Sequence, residues 1–187
     1  MSRAFAVFRI FAIVAAMSAA PSFAADKTLK VIAHADLKVL DTTANTTYIT
    51  NRYGYLVYDT LFGMDSKFVP QPQMVETYTV SDDRLTWTFK LRPGQKFHDG
   101  APVVAADAVA SLKRWMARDG MGQTLAARTA AFEAVDDDTF KLVLTEPYAL
   151  VLETFGRWGV PPFVMPARVA NAPLTEPVTS SVGSASA

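Results

Sequence analysis

One of the chain's two histidines, His98, stands beside Asp99 in the stretch KLRPGQKFHDG. An imidazole next to a carboxylate is the beginning of a general-base pair, and an imidazole with two or three further donors would hold a metal. Catalysis needs more: a nucleophile in reach of the imidazole and a partner that orients its other nitrogen. Consecutive side chains on an extended segment point to opposite faces, so Asp99 is badly placed to be that partner. The other histidine, His34, lies more than sixty positions away, and the chain has no cysteine, which removes thiolate chemistry and disulfides together. A turn accounts for more of the stretch. Pro93-Gly94 and Asp99-Gly100 are turn pairs, Phe97 is the apolar anchor between them, and the histidine is expected to make a local hydrogen bond. No catalytic residue, metal site or cofactor is therefore assigned.

Glu76, Asp82 and Asp83, and the run Asp136-Asp137-Asp138, are the other concentrations of carboxylate. Both sit where a hairpin should turn, and they lack the glycine and terminal glutamate of a calcium loop. They are expected to be solvated turns. The aromatic set Trp87, Phe89, Trp115, Phe132 and Phe140 falls mostly on inward-facing positions, so core packing is expected rather than a stacking platform.

The elements that would position these groups follow an export address. Arg3 and Arg9, an apolar run over 10–17 and Pro21-Ser22-Phe23-Ala24 predict a signal peptide cut after Ala24, and the run is too short for a spanning helix. Without residues 1–24 the chain holds 16 basic against 18 acidic side chains, so it carries no nucleic-acid footprint. A soluble protein outside the cytoplasm is expected.

Residues 27–33 are predicted as a strand and 34–47 as a loop. A helix over 48–59 should bury Ile49, Tyr53, Leu56 and Val57, followed by a turn at Gly63-Met64-Asp65. Two hairpins are predicted, 77–80 with 85–91 and 132–135 with 139–145. Trp87, Phe89 and Leu91 face inward in one, and Phe140, Leu142 and Leu144 in the other. Between the hairpins, a helix after Pro102 should bury Ala105, Ala108, Val109, Leu112, Trp115 and Met116, with Asp107, Lys113, Arg114 and Arg118 pointing elsewhere and Gly120 ending it. Pro147 should open another helix through Phe155.

This order of elements, with YDTLF, then ETYTVSDD running into LTWTFKLRPGQKFHDG and the helix VVAADAVASLKRW, resembles the amino-terminal portion of the family 5 extracellular solute-binding proteins, the peptide-binding receptors of bacterial ABC importers. The resemblance spans about 27–168 and is most specific at 81–115.

It implies an α/β, periplasmic binding protein type II-like fold: partial lobe one with an extra amino-terminal α+β subdomain. The expected layout is a signal peptide at 1–24, the family region at 25–168 and an irregular Pro/Ser/Ala-rich tail at 169–187. Such receptors close two lobes on an oligopeptide, a dipeptide or a related solute and work with the importer's membrane permease subunits. Family members are several times longer, so a truncated chain that supplies one wall is expected. The loop after the first strand lines the family's cleft, which carries over to Ala35, Asp36, Leu37 and Lys38. Asp36 could hold a peptide ammonium by a charge-assisted hydrogen bond, or it could cap local backbone. Leu40-Asp41-Thr42 departs from the family, which commonly has proline after the aspartate. The competing readings are a non-catalytic periplasmic structural or chaperone-like module and, less favoured, a secreted hydrolase.

Overall fold

A computed structural model describes Lys30, residues 32–176 and residues 184–185. The chain divides into two units, Met1–Ile32 and Ala33–Ala187, and every element below belongs to the second. The expected signal peptide lies outside the described residues. Of the expected first strand, Lys30, Ile32 and Ala33 are described and none is in a strand.

Alternating apolar residues build the centre. β4 (Val75–Val80), β5 (Thr86–Leu91), β7 (Thr129–Ala134) and β8 (Thr139–Leu144) form one antiparallel sheet in the order β4-β5-β8-β7. Both predicted hairpins are present, and β5 and β8 zip them together with Phe89 opposite Phe140 and Trp87 opposite Leu142. The two facing phenylalanine rings stack at 5.0 Å, and Phe155 meets Phe89 edge-on at 5.5 Å. Pairs of this kind add about 0.5–1.5 kcal/mol each beyond the area they bury.

Helix α2 (Ala105–Met116) covers this sheet with the predicted face, and Leu112 and Trp115 are buried in the same core. Two residues expected to point away from the core are instead buried: Asp107 and Arg114. The reason is that each finds a distant partner. Asp107 accepts from the Val104 N–H at the helix start and from the Ala167 N–H at 2.6 Å, and Arg114 pairs with Asp41. Nor does Gly120 end the helix. α2 stops at Met116, and Asp119, accepting from the N–H groups of Met121 and Gly122, caps a further helix, α3 (Gly120–Ala126).

Helix α1 (Tyr48–Val57) forms where expected but with a different face inward. Thr50, Asn51 and Gly54 are buried, while Leu56 is 84% exposed. Close approach decides this, since a Cβ on Gly54 would lie 2.5 Å from Phe163 and 2.7 Å from Thr42. After α1 come β1 (Asp59–Thr60) and β2 (Phe62–Met64). β2 pairs with β3 (Pro70–Pro72), so Gly63 and Met64 lie in a strand and the turn expected at Gly63-Met64-Asp65 falls at 65–69. β6 (Lys96–Phe97) lies between the two turn pairs. Helix α4 spans only Val151–Phe155, so Pro147 precedes it rather than opening it. β9 (Phe163–Val164) pairs with β1, and the short helix α5 (Ala167–Ala170) follows. Within the stretch expected as an irregular tail, β10 (Ser184–Ala185) pairs with β6.

Candidate functional site

The loop 34–38 rises from a root that is buried and cross-linked. Asp41, Thr42 and Thr43 are all buried. One Asp41 carboxylate oxygen accepts from the N–H groups of Thr43 and Ala44, both at 2.9 Å, and the Asp41 carbonyl accepts from the Asn45 N–H. This aspartate turn shapes the loop. The other carboxylate oxygen takes the Arg114 guanidinium at 2.6 Å, with both side chains at 2% exposure or less. Arg114 also donates to the Ala172 carbonyl, so one side chain ties three separate stretches together. Burial is the largest influence on Asp41 and pushes its pKa up. The Ala44 N–H, Arg114 and the Thr43 N–H together outweigh it, and the carboxyl titrates below its ordinary value.

Beyond this root, Ala35, Asp36, Leu37 and Lys38 are all exposed. Among the described residues, the side chains of Asp36 and Lys38 have no hydrogen-bond or ion-pair partner, so Asp36 does not cap local backbone. The His34 ring meets the Tyr48 ring edge-on at 5.4 Å, which sets the start of the loop against α1. Val39 accepts from the Thr50 hydroxyl at 3.1 Å and closes the other side.

Tyr48 also borders a cleft of about 290 Å³ with Asn51, Arg52, Tyr55, Trp158 and Gly159. The Arg52 guanidinium lies 4.5 Å over the Tyr48 ring and donates to its hydroxyl. Tyr55 donates to the Trp158 carbonyl at 2.6 Å and Asn51 to the Gly159 carbonyl at 3.3 Å, so residues 158–159 are held against the helix. The buried Asn51 Oδ1 has no partner among the described residues. A cation, two phenol rings, an indole and an unused amide oxygen can hold a polar ligand with an acidic group and a planar or apolar part. These residues escape sequence reasoning. Tyr48, Arg52 and Tyr55 do share helical spacing, but Trp158 is 103 positions from Tyr55 and nothing local announces it.

The other candidates are framework. His98 is exposed and its side chain has no partner among the described residues, so the expected local hydrogen bond is not made by the histidine. Asp99 makes it, accepting from the Ala101 N–H at 3.0 Å and from Arg168, while Gly100 takes φ 85°. The Ala101 N–H, and then Arg168, hold the Asp99 carboxyl below its ordinary pKa. Asp83 accepts from Ser81 and the Leu85 N–H, and Asp136 from the N–H groups of Asp138 and Thr139, so both acidic clusters fasten turns. Among the described residues no group of three or more His, Cys, Asp or Glu could hold a metal ion. Trp87, Phe89, Trp115, Phe132 and Phe140 are all buried, as their periodicity predicts.

Comparison with known proteins accords with this architecture. Residues 69–183 match the model of the bacterial extracellular solute-binding proteins, family 5 Middle. A protein of Sinorhizobium fredii (strain NBRC 101917 / NGR234), described as a probable peptide ABC transporter periplasmic-binding protein, is 42% identical over 168 residues, covering 90% of this chain and 31% of that one. The glutathione-binding protein GsiB of Shigella dysenteriae is 35% identical over 141 residues, covering 73% and 27%. Among solved structures, the solute-binding protein MoaA of A. tumefaciens R10, in complex with mannopinic acid, superposes with a TM-score of 0.61 at 27% identity, covering 71% of this chain and 28% of that one. The chain thus spans about a third of the length of the relatives it matches. The fold is that of the type II periplasmic binding proteins, and the chain belongs to family 5 of the bacterial extracellular solute-binding proteins.

Proposed function

We propose that this chain contributes the first-lobe wall of a periplasmic substrate-binding component of an ABC importer. Its ligand is a peptide or a related small solute, and it works with the importer's membrane permease subunits. The observation that carries this reading is the 42% identity, across 90% of the chain, to a relative described as a probable peptide transporter's binding protein. The geometry supports it: an exposed loop at 35–38 on a rigid ionic root, beside a cleft of cationic and aromatic groups. In this reading Asp36 takes the peptide ammonium and Arg52 an acidic group, with no bond made or broken. Closure of two lobes requires contacts from both sides.

The test is calorimetric. The 187-residue chain alone, titrated with glutathione and with a mixed short-peptide library, is expected to bind weakly or not at all. Sub-micromolar binding would contradict the need for two walls. The same residues grafted in place of their counterpart in the Sinorhizobium relative should restore binding, and Asp36→Ala should weaken it about tenfold. A graft that folds and binds none of these ligands sinks the reading. One observation favours a second one: Tyr48, Tyr55, Leu56 and Trp158 leave apolar surface in water, as a non-catalytic structural or chaperone-like module would. Suppression of client aggregation, with no ligand bound by the graft, would mark it.

A further inference from the structure

We propose a second small-molecule site in this chain, separate from the cleft beside α1, where the turn between β4 and β5 meets the segment leading into α4. It takes a small zwitterion with an apolar or aromatic side chain, of the α-amino acid type. A cavity of about 540 Å³ opens there, and its lining includes Val80, Asp82, Arg84, Trp87, Pro147 and Tyr148. That volume suits a compact organic ligand. It shares no lining residue with the cleft beside α1.

Three features set the chemistry. Trp87 is 9% exposed, and its buried indole N–H has no acceptor among the described residues. A buried donor left without a partner is rare, and an acceptor carried by a ligand would satisfy it. The Ser81 hydroxyl, on the same lining, is turned to other groups: it donates to Asp83, accepts the Thr86 N–H and makes no bond to the indole. Second, the exposed Arg84 makes no ion pair among the described residues. Its backbone sits at φ 59°, in the left-handed region that side chains rarely adopt. In the proposed complex a small turn of the indole brings its N–H to the cavity, where one carboxylate accepts from it and from the Arg84 guanidinium. Third, Asp82 on the same lining repels a bare anion but receives an ammonium, which selects a zwitterion over a simple acid.

The apolar part has prepared walls. Trp87 is stacked on Tyr78 with the rings 17° from parallel, and Tyr148 is steadied by Arg128, 5.4 Å over its ring and itself paired with Glu146. An aromatic or branched side chain lies against Trp87, Pro147 and Tyr148, while the charged end meets Arg84 and Asp82.

The test uses the full chain with its three tryptophans labelled at the indole nitrogen, each N–H resonance assigned from a Trp→Phe variant. Titration with L-phenylalanine is expected to move the Trp87 resonance saturably, with a Kd of about 1 mM or tighter. Phenylalaninamide, which lacks the carboxylate, and N-acetylphenylalanine, which lacks the ammonium, should each bind at least about tenfold more weakly. Arg84→Gln should weaken phenylalanine binding by a similar factor while leaving the rest of the spectrum in place. No saturable movement at Trp87 overturns the proposal. So does movement confined to Trp158, which would put the ligand beside α1, and so does equal binding of either analogue or undiminished binding by Arg84→Gln.

Discussion

Taking Asp41 and Arg114 out of water costs several kcal/mol per ion, and only close, fully bonded contact offsets that cost. Here the contact is 2.6 Å, and the carboxylate also accepts two N–H groups. Arg114→Met leaves a buried carboxylate without its cation and is expected to lower unfolding free energy by about 3–5 kcal/mol, measured by urea denaturation. The double variant with Asp41→Asn should lose less than the sum of the single losses, because the two groups share one interaction. The pH dependence has a definite sign. The folded-state pKa of Asp41 lies below the ordinary 3.8. Its contribution is therefore complete above the ordinary carboxylate range and is lost as pH falls through the folded value. Urea midpoints of the native chain should drop on acidification below about pH 4, and those of Asp41→Asn should drop less steeply. Gly54 gives a second single-residue test. An exposed helical Gly→Ala change gains about 1 kcal/mol. At Gly54 the new methyl would collide with Phe163 and Thr42, both buried, and overpacking costs about 1–3 kcal/mol. Gly54→Ala should therefore destabilise, read as a lower melting temperature.

Helix α3 is short and depends on its cap. Asp119 accepts from two N–H groups at its start and pairs with Arg157 at 3.3 Å. Asp119→Ala is expected to cost about 1–2 kcal/mol, with faster amide exchange confined first to residues 120–126. This helix also shows what sequence hides. Gly120 looks like a terminator, whereas Asp119 just ahead of it starts a new helix. The sheet was legible because β5 and β8 bury one side of a period-two pattern, and two stacked phenylalanines at their junction confirm the register. The face of α1 was not, because distant groups choose it: Gly54 turns inward where Phe163 must come close, and Thr50 and Asn51 turn inward to donate to the Val39 and Gly159 carbonyls. Asp107 and Arg114 looked like surface residues because their partners lie 60 and 73 positions away.

At the scale of the molecule, the four-stranded sheet with α2 over it is a stable platform, and the candidate site sits on the other elements, where α1, the root at Asp41 and residues 158–159 meet. Position in the chain singled out the loop 35–38 only through family resemblance. The cleft beside it became visible only when Tyr48, Arg52 and Trp158 were brought together in space. Several of the ties that hold this corner run between distant parts of the chain. Asn51 reaches Gly159 across 108 positions, and Asp59 pairs with Val164. Spans of that length are slow to close, so this corner is expected to assemble after the hairpins, whose partners are close in sequence. For a polypeptide that, on the proposed reading, is threaded through a membrane before it folds, the delay is useful. The corner cannot lock until both ends of each span are on the same side, and until then the chain can still be transported.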